Sequence, residues 1–374
     1  MTGTPYDVYD ALHRRAPVLW NPAAASWMVF GYRDVTSALR DPAFSSAARL
    51  ADMQHEFAQT LSARRARSAA EVFGQQLEMS DPPAHSRIRG ALRPQFHAAG
   101  VAAPALIREA MEGLPTLIPS TDPIDLMTAF AIPLPQQIVL ATLGIPPAGR
   151  ADFAGRVELF LRHLSDPTIS GSHALEKLRE HLATADGGII GNLTDQLAPI
   201  SDDELLANAI LIVSAGHRTT SNLIGNLLYL LLQHRDVVEL LLADLALVPR
   251  VVEEALRLES PLQTLQRVAT RQTILGGVTI RKCDSVTLVL GAANRDPATY
   301  DQCHNFDPRR QPNRHLAFGY GPHFCLGAEL ARLQAIAVVE HLLPLLPSMR
   351  LRSAVWNPQT AARGLVHLIV DYSP

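Results

Sequence analysis

Apolar residues along this chain recur mostly at helical intervals, interrupted by a few runs of strand length. Tyr6, Tyr9 and Leu12 share one helical face, and Trp27-Met-Val-Phe30 is an apolar run suited to a strand. Tyr32–Leu39 returns to helix before an Arg40-Asp-Pro turn, and residues 45–80 show little period. Residues 100–200 read as helices jointed at prolines, among them Pro104, Pro133, Pro135 and Pro146-Pro147, with Ser165–Ser172 breaking two of them. Ser201-Asp-Asp-Glu204 is a capping box, and the apolar pattern behind it persists to about His234, long for a globular helix. Pro249 opens a further helix, and Gly276-Gly277 and Val286–Leu290 read as short strands. From Leu326 onward, Leu326, Leu330, Leu333, Ile336, Val339 and Leu342 again keep helical spacing. The pattern predicts a fold that is mainly α with small β-sheets (α+β), and the length suits one large domain or two smaller ones.

Just before that last helix stands Phe318-Gly-Tyr-Gly-Pro-His-Phe-Cys325-Leu-Gly327. Pro322 with Gly319, Gly321 and Gly327 makes this a tight loop, so Cys325 falls where a glycine-rich turn meets a helix N-terminus. Unpaired N–H groups and the helix dipole stabilise a thiolate there, and nearby donors tune the electron density it offers a metal. Other chemistry fits less well. His323 is poorly placed as a base for a cysteine nucleophile, Gly319-x-Gly321 lacks the third glycine of a dinucleotide loop, and no second Cys or His pair has zinc spacing.

Composition narrows the class without choosing the chemistry. The 374 residues are 47% hydrophobic and 18% charged with net charge −3, an ordinary globular balance that argues against nucleic acid or a membrane surface as partner. Cys283, Cys303 and Cys325 form no disulfide framework and Met1–Asp10 shows no secretory signal, so a cytoplasmic location is expected. In the long apolar helix, Asn208, Asn222, Asn226 and the central Gly216-His217-Arg218-Thr219-Thr220 argue against a bilayer span and for a helix crossing a core past a site.

Two further constellations carry charge. Asp81 is a plausible N-cap ahead of Pro82-Pro83, and His85 and Arg89, four apart, project from one helical face as donors for a carboxylate or phosphate. Glu254 and Arg257 stand three apart on the helix opened by Pro249.

These segments together resemble the cytochrome P-450 superfamily. Phe-Gly-x-Gly-x-His-x-Cys-x-Gly from Phe318 to Gly327 is similar to its haem-ligand loop, in which a cysteine thiolate holds the iron. Asp-Pro-Pro-x-His-x-x-x-Arg resembles its C helix, Glu254-x-x-Arg257 its near-invariant pair, and Phe306-Asp-Pro-Arg-Arg310 its meander. Ala215-Gly216-x-Arg218-Thr219-Thr220 resembles the centre of its I helix, except that Arg218 occupies the usual acid position. Arg281-Lys-Cys283 departs from the family's Pro-x-Gly turn. The likeness runs from about Pro5 to Leu368.

The resemblance implies a single domain over 1–374 with the P-450 fold, enclosing haem b (iron protoporphyrin IX), with Cys325 as the metal ligand. Phe318, Gly319, His323, Leu326 and Gly327 would contact the cofactor, as would Ala215 and Gly216, while His85, Arg89, Arg267 and His323 would hold its propionates. Thr219, Thr220 and Arg218 would be the catalytic positions, and Ser165–Ser172 a lid. The implied activity is monooxygenation of a small molecule, free or carrier-tethered, in bacterial natural-product metabolism. Electrons would come through a ferredoxin and ferredoxin reductase to a monomer without anchor or reductase domain. Two rivals follow: a hydrogen-peroxide-dependent peroxygenase, suggested by the arginine at the acid position, and a non-catalytic haem carrier or sensor.

Overall fold

A computed structural model describes residues 4–49, 70–114, 123–165, 172–195, 199–358 and 361–373. Of the expected lid Ser165–Ser172, residues 166–171 lie outside the described residues. In chain order come α1 (Pro5–Arg15), β1 (Val18–Asn21), β2 (Ser26–Val29), α2 (Tyr32–Arg40), β3 (Phe44–Ser45) and α3 (Ala84–Glu112). After β4 (Ile124–Asp125) follow α4 (Pro133–Leu143), α5 (Arg150–Ser165), α6 (Ser172–Ala183), α7 (Gly188–Asp195) and the long α8 (Asp202–Gln233). Then come α9 (Arg235–Ala243), α10 (Val248–Leu258), β5 (Thr264–Ala269), β6 (Thr273–Leu275), β7 (Val278–Ile280) and β8 (Ser285–Val289). The chain ends with α11 (Leu290–Ala293), α12 (Ala328–Leu342), β9 (Met349–Trp356) and β10 (Leu365–Tyr372). The fold is mostly helical with small sheets, as the pattern predicts. Among the described residues no helix is long and apolar enough to cross a membrane.

The chain gathers into two compact units, one of Met1–Phe44, Gly113–Leu134 and Thr219–Pro374, the other of Ser45–Glu112 and Pro135–Arg218. The first holds a five-stranded sheet in the order β1-β2-β8-β5-β3, a three-stranded sheet β4-β10-β9 and the hairpin β6-β7. β2 runs parallel to β8, with Trp27 opposite Val286, while β5 pairs antiparallel to β8. Val18, Val29, Val286 and Leu288 from the sheet form one core with Val35 and Leu39 of α2. Each such side chain, at 5% exposure or less, contributes about 1.5–3 kcal/mol by leaving water. Gly276-Gly277 is a turn and not a strand: both φ angles are positive, at 55° and 78°, the geometry a two-residue hairpin loop requires.

The first unit is tied together by a buried charge cluster on α10. Glu254 and Arg257 are both 0% exposed. Arg257 donates twice to Glu254, from Nε and Nη2 at 2.8 Å each, and also to the carbonyls of Asn294, Cys303 and Asn305 at 2.9, 2.7 and 2.9 Å. Glu254 accepts in addition from the Asp307 N–H, Arg310 Nε and Asn313 Nδ2. One ion pair thus satisfies the backbone of an irregular stretch from 294 to 313 that has few ladder bonds of its own.

The second unit is helical. Ile88 and Leu92 of α3, Ile138 of α4, Phe153 and Phe160 of α5 and Ile210 of α8 are all 0–1% exposed. The helix α3 runs through Pro104, which the sequence marks as a joint. That proline is exposed, while Ala103, Ile107 and Ala110 are buried, so tertiary packing carries the helix past one lost hydrogen bond. Asp81 does not cap α3 with its side chain: its carboxylate accepts from Ser45 Oγ and from the Ser46 N–H, and holds the end of β3 instead.

Removing one partner of a buried, hydrogen-bonded pair leaves a naked charge, at a cost of about 3–5 kcal/mol. Glu254→Ala is therefore expected to give little soluble folded protein. A urea melt matching that of the parent would show that the pair carries no such weight.

Candidate functional site

Gly319 and Gly321 adopt φ of 71° and 73°, a region side chains rarely enter. The loop also passes close to α2, where a Cβ on Gly321 would stand 2.8 Å from the Leu39 carbonyl oxygen. Two turns of chain fold back so that the Cys325 N–H donates to the Phe318 carbonyl at 3.0 Å. Gly327 is the N-cap of α12, Leu326 is half-buried, and Cys325 itself is exposed. Strand β5 runs beside this loop: Leu265 Cδ1 lies 4.0 Å from the place of a Cβ on Gly319. Arg267, two residues on, therefore shares Leu265's side of the strand and is 5% exposed. His323 ends the single turn Gly321–His323 and is half-buried. Phe318, Gly319, His323, Cys325, Leu326, Gly327 and Arg267 are thus brought together within the first unit.

The other cysteines have different surroundings. Cys303 is buried, and burial with the Asp10 charge pushes its thiol up. Cys283 is an exposed turn residue at φ 68° between β7 and β8.

On the second unit, His85 at 2% exposure and the half-buried Arg89 share one face of α3. Burial and then the Arg89 guanidinium hold the imidazole below its ordinary range, against the weaker pull of Asp81. Two cationic groups that disfavour each other's charge are what a bound anion would relieve.

Along α8, the less buried positions are Leu211, residues 214–219 and Asn222, while Ile210, Val213, Leu223 and Ile224 are buried. Ala215, Thr219 and Asn222 also fall on the line that joins Asn208 and Asn226, a stripe that the sequence analysis did not trace. At its two ends the stripe is covered. Asn208 accepts from the Leu77 N–H at 2.9 Å and donates to the Gln75 carbonyl, and Asn226 donates to the Glu259 and Arg363 carbonyls at 3.0 Å each. Thr220 lies off the stripe and is 4% exposed, and Gly216 lies against Val139, 3.1 Å from the place of a Cβ. Arg218 has a counter-charge that its own helix lacks beyond Leu205: Glu158 of α5 at 3.5 Å, with the two side chains 58% and 49% exposed.

Three residues beside the loop escaped the sequence reading. Glu253, next to Glu254 on α10, accepts from Arg332 Nε at 2.7 Å and Nη2 at 2.8 Å and pairs with His315 Nε2 at 3.1 Å. Burial raises the Glu253 carboxyl, but the His315 and Arg332 hydrogen bonds outweigh it and hold the group at about 2. Nothing in a single sequence marks Glu253 beyond its neighbour.

Residues 180–345 match the family model described as cytochrome P450. The chain is 32% identical to the cytochrome P450 monooxygenase PikC of Streptomyces venezuelae, over 98% of this chain and 91% of that one. The chain belongs to the cytochrome P450 family. It is also 32% identical to the vitamin D(3) 25-hydroxylase of Pseudonocardia autotrophica, over 99% and 94%. The crystal structure of P450BioI with a hexadec-9Z-enoic acid-ligated acyl carrier protein superposes with a TM-score of 0.86 at 29% identity, covering 98% of each chain. This P450 is accordingly a monooxygenase of a haem-iron family. Its own residues fit that group: an exposed thiol in a closed loop at a helix N-terminus can meet iron, and His85 with Arg89 offers an anion two donors.

The geometry of Gly321 yields a test. In Gly321→Ala the new Cβ meets the Leu39 carbonyl at a φ that alanine resists, for about 1–3 kcal/mol. The variant is expected to unfold at lower temperature than the parent and to lose bound haem during gel filtration. Unaltered melting and haem retention would mean that the loop yields freely there.

Proposed function

We propose that this P450 holds haem b through the Cys325 thiolate and oxidises a small organic molecule in bacterial natural-product metabolism, with O2 and electrons from a ferredoxin. The observation that carries the reading is Cys325 itself, an exposed thiol whose N–H is tied to Phe318 in a glycine-shaped loop, against a buried Cys303 and a turn-bound Cys283. When bound, a thiolate-ligated haem iron supplies reductive cleavage of O2 and transfer of one oxygen atom to the substrate. His85, Arg89, Arg267 and His323 compensate the two propionates, which would otherwise be costly buried charges. Phe318, Gly319, Leu326 and Gly327 surround the thiolate, and Ala215 and Gly216 leave room on α8 because neither has a side chain beyond Cβ.

Thr219 is assigned to hold and pass a proton at its Oγ1, with Thr220 supporting it from the buried side. Arg218 cannot be the proton donor that an acid would be, because its guanidinium stays charged. Its bond to Glu158 is long and exposed, a kind of pair worth about 0–1 kcal/mol, so an incoming substrate carboxylate can compete for it. Names among the relatives and neighbours favour tailoring substrates, including a 20-oxo-5-O-mycaminosyltylactone 23-monooxygenase and a P450 solved with epothilone D. The P450BioI complex makes a carrier-tethered acyl substrate a concrete option. For the ferredoxin, the surface beside the loop carries Arg40 of α2, over the Tyr320 ring at 5.7 Å, with Tyr320 and Phe324 each 39% exposed, and Arg33 and Asp41 line the same groove as Arg40. Cationic and aromatic groups there suit an acidic partner.

Cys325→Ser is expected to abolish the thiolate Soret band of the reduced carbon-monoxide complex, while Cys283→Ser and Cys303→Ser retain it; the reverse pattern would move the metal site. Turnover supported by ferredoxin, its reductase and NADPH, and not by hydrogen peroxide alone, supports the monooxygenase route, and the opposite result makes the protein a peroxygenase. Arg218→Glu is expected to keep haem and lose the spin shift induced by a carboxylate-bearing substrate by tenfold or more in affinity, a loss of at least about 1.4 kcal/mol. Unchanged affinity with faster coupled turnover would leave Arg218 as an impaired proton relay only.

A further inference from the structure

We infer that Glu253 and Arg332 form a charge pair that sets the electron donation of the Cys325 loop, with Glu253 as a positioning residue acting through Arg332 and His315 on Phe318. The inference rests on the haem-thiolate reading above. Arg332 lies on the first turns of α12, and its guanidinium carbon stands 4.5 Å from the centre of the Phe318 ring, within cation–π range. The His315 ring packs on the same phenyl at 5.9 Å, and Phe324 meets it edge-on at 6.3 Å. Phe318 in turn accepts the Cys325 N–H through its carbonyl. A shift of the ring therefore moves the acceptor that closes the thiolate loop.

Glu253 organises both cations-or-donors around that ring. Its two oxygens take Arg332 in a forked bond, Nε to Oε1 and Nη2 to Oε2, which fixes the guanidinium plane. His315 is only 3% exposed at its side chain. Its Nδ1 accepts from the Ala317 N–H at 3.3 Å, which leaves Nε2 to donate to Glu253. The Glu253–Arg332 pair itself holds one negative charge and one positive charge. Glu253 and Arg332 are about one-third exposed, so each charge is partly screened but not silenced. Losing either one leaves the other uncompensated against Phe318, with opposite consequences for the ferric–ferrous balance.

The test uses the haem-loaded full chain and its spectroelectrochemical titration. Glu253→Gln, which leaves the Arg332 cation uncompensated, is expected to shift the equilibrium toward ferrous by about threefold. Arg332→Gln is expected to shift it toward ferric by a similar factor, and the double variant to return within about twofold of the parent. Arg332→Lys, which keeps the charge and loses the planar stack, should leave the potential near the parent while moving the carbon-monoxide Soret band, and it carries the test if Glu253→Gln will not fold. Equal potentials in all variants with only the melting temperature lowered, or shifts of the same sign in both single variants, would overturn the inference. A parent protein without a thiolate Soret band would instead bring down the functional reading on which it stands.

Discussion

A guanidinium sealed from water organises this molecule. Arg257 spends its donors on Glu254 and on three main-chain carbonyls that no sheet or helix would otherwise satisfy. Desolvating that pair is expensive, and only the completeness of its hydrogen bonding makes it tolerable. The return is geometric. An irregular stretch of chain is held in one conformation, and directly after it comes the loop that presents Cys325. Leu316, which leads into the loop, is itself anchored by its N–H to Asn294 Oδ1 at 2.6 Å. The position of the thiol is therefore inherited from a structural ion pair on α10.

A second cluster of the same kind lies at the N-terminal end of the first unit. Glu259 accepts from Tyr6, Arg295 and Arg363, and Arg295 lies over the Tyr6 ring at 3.5 Å. Burial, then the Glu259 charge, drive the Tyr6 hydroxyl far above its ordinary range, so it remains a donor. Two guanidinium groups around one carboxylate leave one excess positive charge, spread over aromatic faces and carbonyls, which is how arginine rather than lysine can be accommodated in a dry interior. This network pins α1 to the segment after α10.

Much of the fold and of the site was legible because it rests on local signals. The capping box closes as read, with Ser201 N–H to Glu204 at 2.8 Å and Glu204 N–H to Ser201 Oγ at 3.2 Å, and α8 ends at Gln233 as its periodicity demands. The glycine loop and its cysteine were visible for the same reason, since positive φ selects glycine. What stayed hidden depends on partners far away in sequence. Asp81 looks like a cap until Ser45 and Ser46 claim its oxygens. Gly276-Gly277 sits among apolar residues and reads as strand until both φ angles are known. The partner of Arg218 is sixty positions away on α5, and Glu253 acquires meaning only once α12 is folded against α10.

The asparagine staples on α8 bear on how this protein can change. Asn208 and Asn226 are eighteen positions apart, about five full turns at 3.6 residues each, so both point the same way. Together they clock the helix: neither end can rotate without stranding a buried amide. Sliding the middle by one residue would swing it about 100° and exchange Thr219 for a neighbour on the open side. An inserted or deleted residue between the two asparagines is thus the lesion this helix absorbs least. Point substitutions at Ala215, Arg218, Thr219 or Asn222 change the side chains displayed there while leaving the helix's rotation intact.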